Sequence, residues 1–193
     1  MAEAPEAQPH GDALLEPPAS STASAAEGAG WRALLKPSLI ITAAVIVLLD
    51  QSTKALVAAA VPLYESVTIV PGFVDFTHVR NTGAAFGLLN TADLPMKWAI
   101  MVAMALIAIV AIGAYGATLR ADENIARAGL SLVLGGAVGN LIDRARQGYV
   151  LDFVDVYSGS WHFWAFNVAD AAITVGALLV IFDLLGVRTR ARN

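Results

Sequence analysis

The sequence predicts an integral membrane protein of mainly α class: four transmembrane helices, a small extracytoplasmic β-sheet platform and a disordered N-terminal tail. The first observation behind this is composition. The 193 residues are 57% hydrophobic and 15% charged, with mean hydropathy +0.64, whereas soluble domains carry roughly 25% charge. One small core cannot hold that apolar surplus, so a bilayer is the expected solvent. The second is the segment Trp98 to Leu119, which contains no charged residue and is long enough to cross about 30 Å of hydrocarbon. The third is the run Val67-Thr68-Ile69-Val70, then Pro71-Gly72, then Phe73 to Val79, which reads as strand, turn, strand.

Taken in order, residues 1–30 are rich in Ala, Pro, Glu, Ser and Gly with no apolar period, and read as a disordered cytoplasmic tail. They lack the basic and apolar regions of a signal peptide. A four-helix domain over 31–187 follows, with spans at about 38–60, 98–119, 128–147 and 166–186. The third apolar stretch is short, so its helix is expected to continue through the charged pair Asp143-Arg144. The outer β region covers about 61–90, and 188–193 is a basic cytoplasmic tail. Arg32 and Lys36, Arg120 and Arg127, and Arg188, Arg190 and Arg192 flank the spans on one side, which the positive-inside bias makes the cytoplasm. Both termini then lie inside. Gly135 and Gly139 form a small-xxx-small pair suited to close helix packing.

Several chemistries are excluded. There is no cysteine, hence no disulfide, thiol nucleophile or thiolate metal site. His10, His78 and His162 are scattered without metal-ligand spacing, and neither metal nor cofactor is expected. Five acids of the tail contribute to the net charge of −4, and nothing resembles a basic nucleic-acid surface.

Charge beside hydrocarbon is costly and reads as functional by default. Asp152 and Asp170 are the prime candidates. Asp50 and Lys54 share a helix face. Asn140 and Asp143 are three apart, as are Asn167 and Asp170, and Arg80-Asn81 close the second strand. The topology brings the ends of helices three and four to one depth, where Asp152 and Asp170 can meet. Two close carboxylates cannot both ionise easily and share a proton. One can then take a proton from water while the other donates to a carbonyl oxygen. Arg144 is expected to pair with Asp143, and Asn140 and Asn167 to orient the carboxylates. Asp155 reads as a solvated or capping acid, and Tyr157, Trp161 and Trp164 as an interfacial aromatic belt.

Five blocks complete the picture: Asp50-Gln51-Ser52-Thr53-Lys54; Arg80-Asn81-Thr82-Gly83-Ala84-Ala85-Phe86; Gly135 through Arg144; Val150-Leu151-Asp152-Phe153; and Phe166-Asn167-Val168-Ala169-Asp170. In this order, over roughly 37–186, the chain resembles the bacterial lipoprotein signal peptidases, signal peptidase II. The resemblance implies an intramembrane aspartic endopeptidase with Asp152 and Asp170 as its catalytic dyad. Asp50, Lys54, Asn81, Gly83, Asn140, Asp143, Arg144 and Asn167 would line or support the site. It also implies a prolipoprotein substrate carrying diacylglycerol on a cysteine, cleaved just before that cysteine at the outer face of the bacterial inner membrane. Lipid-modified prolipoproteins and membrane phospholipid are the expected partners of a monomeric enzyme. Gly83, Ala84 and Ala85 are small enough for a loop to approach substrate backbone closely. Two other classes fit the spans: a proton-coupled transporter, which needs polar residues at mid-depth, and a non-enzymatic scaffold, which leaves the two Asn–Asp pairs unexplained.

Overall fold

The computed structural model describes residues 37–83, 96–120 and 122–190. The N-terminal tail, Ala84, Ala85 and Phe86 of the second block, and Arg192 lie outside the described residues.

Four long helices form the membrane body: α1 (Pro37–Ala60), α2 (Lys97–Thr118), α3 (Asn124–Gln147) and α4 (Val168–Arg190). Each contains a stretch long and apolar enough to cross a membrane. Their large apolar side chains face outward, Leu48, Leu56, Ile107, Val110 and Phe182 among them, as a lipid solvent requires. Helix α3 is the central one. Half of its most apolar stretch is buried, against 11–17% in the other three, and it packs on α4, α1 and α2. Its Gly135 faces Ala43 of α1, Gly139 faces Asp50 of α1, and Gly136 faces the Ala169 carbonyl of α4. Small residues thus let two helices close on α3 from different sides.

The same close approach recurs farther along. A Cβ on Gly176 would come 2.5 Å from the Gly129 carbonyl oxygen and 2.8 Å from Val133 Cγ2. Gly176→Val is therefore expected to push α4 off α3 and cost about 1–3 kcal/mol, as overpacking does. A thermal melt checks this, and an unchanged midpoint would refute it.

Helix boundaries differ from the sequence expectation in two instructive places. Helix α3 starts at Asn124, earlier than about 128, and so takes in Arg127, which is buried in the bundle. Helix α4 starts at Val168, after Asn167 has turned back to cap it, and runs on through the stretch read as a basic tail to Arg190. Helix α3 continues through Asp143-Arg144 and stops at Gly148 (φ 81°), whose N–H reaches the Arg144 carbonyl at 3.1 Å. This left-handed cap is a conformation glycine adopts without steric cost.

The strands are β1 (Ser66–Val70), β2 (Val74–Asn81), β3 (Val150–Ser158) and β4 (Trp161–His162), in spatial order β1-β2-β3-β4 and antiparallel throughout. The β1–β2 hairpin turns through Gly72 (φ 77°). The sequence assigned no element to Val150–Asp155, which the structure makes part of strand β3. Its register sets Asp152 opposite Val79, Leu151 opposite Arg80 and Val150 opposite Asn81. Leu151 and Phe153 of β3 pack with Val57 and Val61 at the end of α1, and Phe76 meets Phe153 edge-on at 5.7 Å. This small core seats the sheet on the helices and carries Asp152 to the ends of α3 and α4.

Candidate active site

The innermost layer is ionic. Lys54, on α1, is 4% exposed, and Asp50 on the same helix is fully buried. Lys54 Nζ lies 2.8 Å from Asp50 Oδ2 and 2.8 Å from Asp143 Oδ2 of α3, and donates to Asn140 Oδ1 at 3.0 Å. Gln51 Nε2 donates to Asp143 Oδ1 at 2.9 Å and to the Gly139 carbonyl at 3.3 Å. The expected Asp143–Arg144 pair does not form. Consecutive helical residues point in different directions, so Asp143 turns inward to Lys54. The Arg144 guanidinium instead donates through Nη2 to the Gly83 carbonyl at 3.1 Å and through Nη1 to the Asn140 carbonyl at 3.4 Å. Trp98 of α2 donates its indole N–H to the Arg144 carbonyl. Gln51 and Trp98 were missed by sequence reasoning. Gln51 stands inside the first block, which is a usable signal, whereas Trp98 opens an apolar helix and carries none.

Helix α4 begins against this layer. Asn167 is its N-cap: Oδ1 accepts the Asp170 N–H at 2.9 Å, while Asp170 Oδ2 accepts the Asn167 N–H at 3.3 Å. This reciprocal capping box satisfies two donors that every helix start leaves open. Asp50 Oδ1 accepts a third, the Ala169 N–H, at 3.0 Å. The first turn of α4 is thus tied to α1 across the bundle.

Three asparagines then face two carboxylates. Asn140 Nδ2 donates to Asp170 Oδ1 at 2.8 Å. Asn167 Nδ2 donates to Asp152 Oδ1 at 2.7 Å, and Asn81 Nδ2 to Asp152 Oδ2 at 3.0 Å. Each amide is held in this sense by a donor to its own oxygen: Lys54 Nζ for Asn140, the Asp170 N–H for Asn167, and the Gly83 N–H, at 2.9 Å, for Asn81. None can flip without losing that bond. All four oxygens of Asp152 and Asp170 therefore accept a fixed N–H.

Burial pushes the Asp152 carboxyl up to about 7. The neighbouring Asp170 charge adds to the rise, and the Asn81 and Asn167 hydrogen bonds and the Lys54 charge oppose it. Asp152 and Asp170 both line a cavity of about 650 Å³ between α2, α3, α4 and β3. Asn81, Asn140 and Arg144 reach the same cavity, and its apolar walls come from Ala105 and Ala108 of α2, Ile173 and Val175 of α4, and Phe163 and Trp164 before α4. Trp164 reads from the sequence only as part of an interfacial belt, and the other wall residues were not foreseen, since nothing distinguishes them from other apolar residues. Asp50, Lys54 and Asp143 lie behind the asparagines and are absent from the cavity wall. Asp155 accepts from His162 Nδ1 at 2.9 Å out on the sheet, and His162 stacks on Tyr157. Trp161 is exposed beside them. Among the described residues, no group of His, Cys, Asp or Glu is arranged to hold a metal ion.

Comparison with known proteins converges. The family model described as signal peptidase (SPase) II matches residues 42–186. The chain is 46% identical over 145 residues to a lipoprotein signal peptidase of Geobacter metallireducens, covering 75% of this chain and 88% of that protein. It is 41% identical over 155 residues to one of Desulforapulum autotrophicum, covering 80% and 94%. A solved bacterial membrane enzyme, determined by the in meso method at 1.9 Å, superposes with TM-score 0.68 at 29% identity, covering 78% of this chain and 94% of that one. A second, at 2.3 Å, gives TM-score 0.67 at 31% identity.

Proposed function

This chain belongs to the signal peptidase II family, and on that premise we propose that it is an intramembrane aspartic endopeptidase cutting just before a diacylglyceryl-modified cysteine. Membership itself makes it a bacterial membrane protease that removes signal peptides from prolipoproteins. The observation that supports the aspartic assignment is the pair Asp152 and Asp170 on one cavity wall, each with both oxygens oriented by N–H donors. The described residues lining that cavity include no serine, histidine, lysine or cysteine, and its one hydroxyl, Thr174, is turned to the Asp170 carbonyl.

In this reading Asp152, near 7, carries the shared proton at neutral pH, and Asp170 is the base. Asp170 takes a proton from water as the water oxygen bonds to the scissile carbonyl carbon. Asp152 passes its proton to the carbonyl oxygen, giving a neutral gem-diol. The proton on Asp170 then moves to the amide nitrogen, the C–N bond breaks, and a diol proton returns to Asp152. The products are the signal peptide carboxyl and the free amine of the lipid-bearing cysteine. The apolar walls of α2 and α4 accept hydrocarbon from the substrate while the asparagines hold the acids. Gly83, tied to Asn81 and Arg144, anchors the loop that would approach substrate backbone. The bias of basic flanks puts both termini in the cytoplasm and the dyad at the outer face.

A gel-shift assay with purified enzyme and a diacylglyceryl-modified prolipoprotein tests this reading. Cleavage is expected with the lipidated substrate and not with its unmodified form. The same assay gives a pH profile. The rate needs the Asp152 proton, so kcat/KM is expected to fall about tenfold per pH unit above about 7. A rate that is flat or rising between pH 7 and 9 would remove Asp152 from the role of acid.

A further inference from the structure

At the opposite end of the bundle Arg127 is a buried charge without an ion-pair partner among the described residues. The basic-flank pattern assigns Arg127 to the connection between the second and third spans, but the structure places it in the first turn of α3, 2% exposed. Its Nη2 donates to the Leu119 carbonyl at 3.1 Å. Its Nε and Nη1 are buried without any hydrogen-bond partner. Arginine does not discharge in proteins, so a buried guanidinium with unmet donors is costly, and hydrocarbon has no acceptor to offer. No carboxylate forms an ion pair with it among the described residues.

Arg127 lines a cleft of about 70 Å³ between α1, α2 and α3, with Ile40, Ile112, Gly113, Leu130 and Ser131. The volume suits a small polar group better than a chain segment. Gly113 is the second observation. Glycine inside a helix is less stable than alanine, and here a Cβ would meet no atom within 4 Å. Neither helix packing nor backbone conformation asks for glycine at this position, and its effect is to keep the cleft open. Ile40 at the edge is exposed on the lipid-facing side.

We propose that this cleft binds an anionic glycerophospholipid, with the phosphate accepting hydrogen bonds from Arg127 and an acyl chain lying over Ile40 and Ile112. Phosphate is an acceptor-only anion matched to guanidinium, and basic pockets between transmembrane helices take such headgroups. The acyl chain explains why the charge is surrounded by hydrocarbon side chains. Arg127 lies thirteen residues before Asn140, about 20 Å along the helix. The site is therefore separate from the carboxylate cavity and does not rest on the proteolytic reading.

The test is thermal unfolding of delipidated full-length protein titrated with phosphatidylglycerol, phosphatidylcholine or inorganic phosphate. Phosphatidylglycerol is expected to raise the midpoint by roughly 5 °C at saturation, well beyond phosphatidylcholine, and inorganic phosphate to leave it unchanged. Arg127→Gln and Gly113→Leu should each abolish the excess shift. Gly113→Leu fills the cleft and leaves Arg127 in place, so it decides the matter if Arg127→Gln fails to fold. Equal shifts with both lipids, or a full shift in Gly113→Leu, would overturn the proposal. So would no shift at all, the result for trapped water. A shift with inorganic phosphate alone would overturn the lipid assignment and leave a free-anion site.

Discussion

Asp152→Asn and Asp170→Asn should each lower prolipoprotein cleavage by about a thousandfold or more while the protein still folds. General acid–base groups contribute roughly 10²–10⁴ each, and members of one catalytic unit fail together. The stability of the two variants should differ, which separates chemistry from structure. Folded Asp152 titrates near 7, far above an unfolded aspartate at 3.8. The folded state therefore binds the proton more tightly, and the carboxyl opposes folding increasingly as pH rises from about 4 through about 7. Removing its charge relieves that opposition at pH 8, but asparagine, with one side-chain acceptor, leaves either the Asn81 or the Asn167 amide unmatched, so the two effects offset and Asp152→Asn should melt close to wild type there. Asp170 also accepts the Asn140 amide and the Asn167 N–H, and asparagine has a single side-chain acceptor. Asp170→Asn should lose about 1 kcal/mol, the worth of one capping bond. Melting curves beside the cleavage assay read both effects. Retained cleavage in either variant would move the catalytic role to another acid.

Lys54→Met should have the largest effect on stability. Lys54 lies between the buried Asp50 and Asp143 and also holds Asn140. Methionine fills the space but leaves two carboxylates without a counter-charge, and breaking a buried pair this way costs about 3–5 kcal/mol. The midpoint of thermal unfolding should fall sharply, or the protein should fail to accumulate. Lys54→Met combined with Asp143→Asn should recover part of the loss, since the second change removes one stranded charge; such non-additivity is the signature of a direct contact. Arginine should not replace Lys54, because a planar fork cannot reach three acceptors that a compact ammonium contacts at 2.8–3.0 Å. An unaltered melt for Lys54→Met would show that the ionic layer contributes nothing to folding.

The sequence made the four apolar helices and the first hairpin legible because hydropathy, the Pro71-Gly72 turn and β-branched alternation are local signals. It also singled out the polar residues that gather near the cavity, because charge in an apolar chain is conspicuous. Partner choice was less readable. Asp143 and Arg144 are adjacent and opposite in sign, so a pair between them is the natural expectation, yet helical geometry sends Asp143 to a lysine 89 positions away. Strand β3 was hidden because Val150–Asp155 has acids at every third position, which obscures its alternation. Its pairing partner β2 is about seventy residues distant. Arg127 misled for the opposite reason. As a basic residue beside a span it looks like a topology signal, and only the three-dimensional packing shows it enclosed.

The bond from Asp50 to the Ala169 N–H has a consequence for biogenesis. Among the described residues, Asp50 belongs to the first candidate span to be synthesised and Ala169 to the fourth, and Asp170 is the residue that follows. Until that fourth segment is inserted, the Asp152 carboxyl has neither its acidic neighbour nor the Asn167 amide. On the proposed aspartic mechanism, a nascent chain with three of these spans in place is therefore inactive, and insertion of the fourth is the step that arms it. On that mechanism the order of synthesis serves as a safety catch, set by which helix the cap of the fourth span must find.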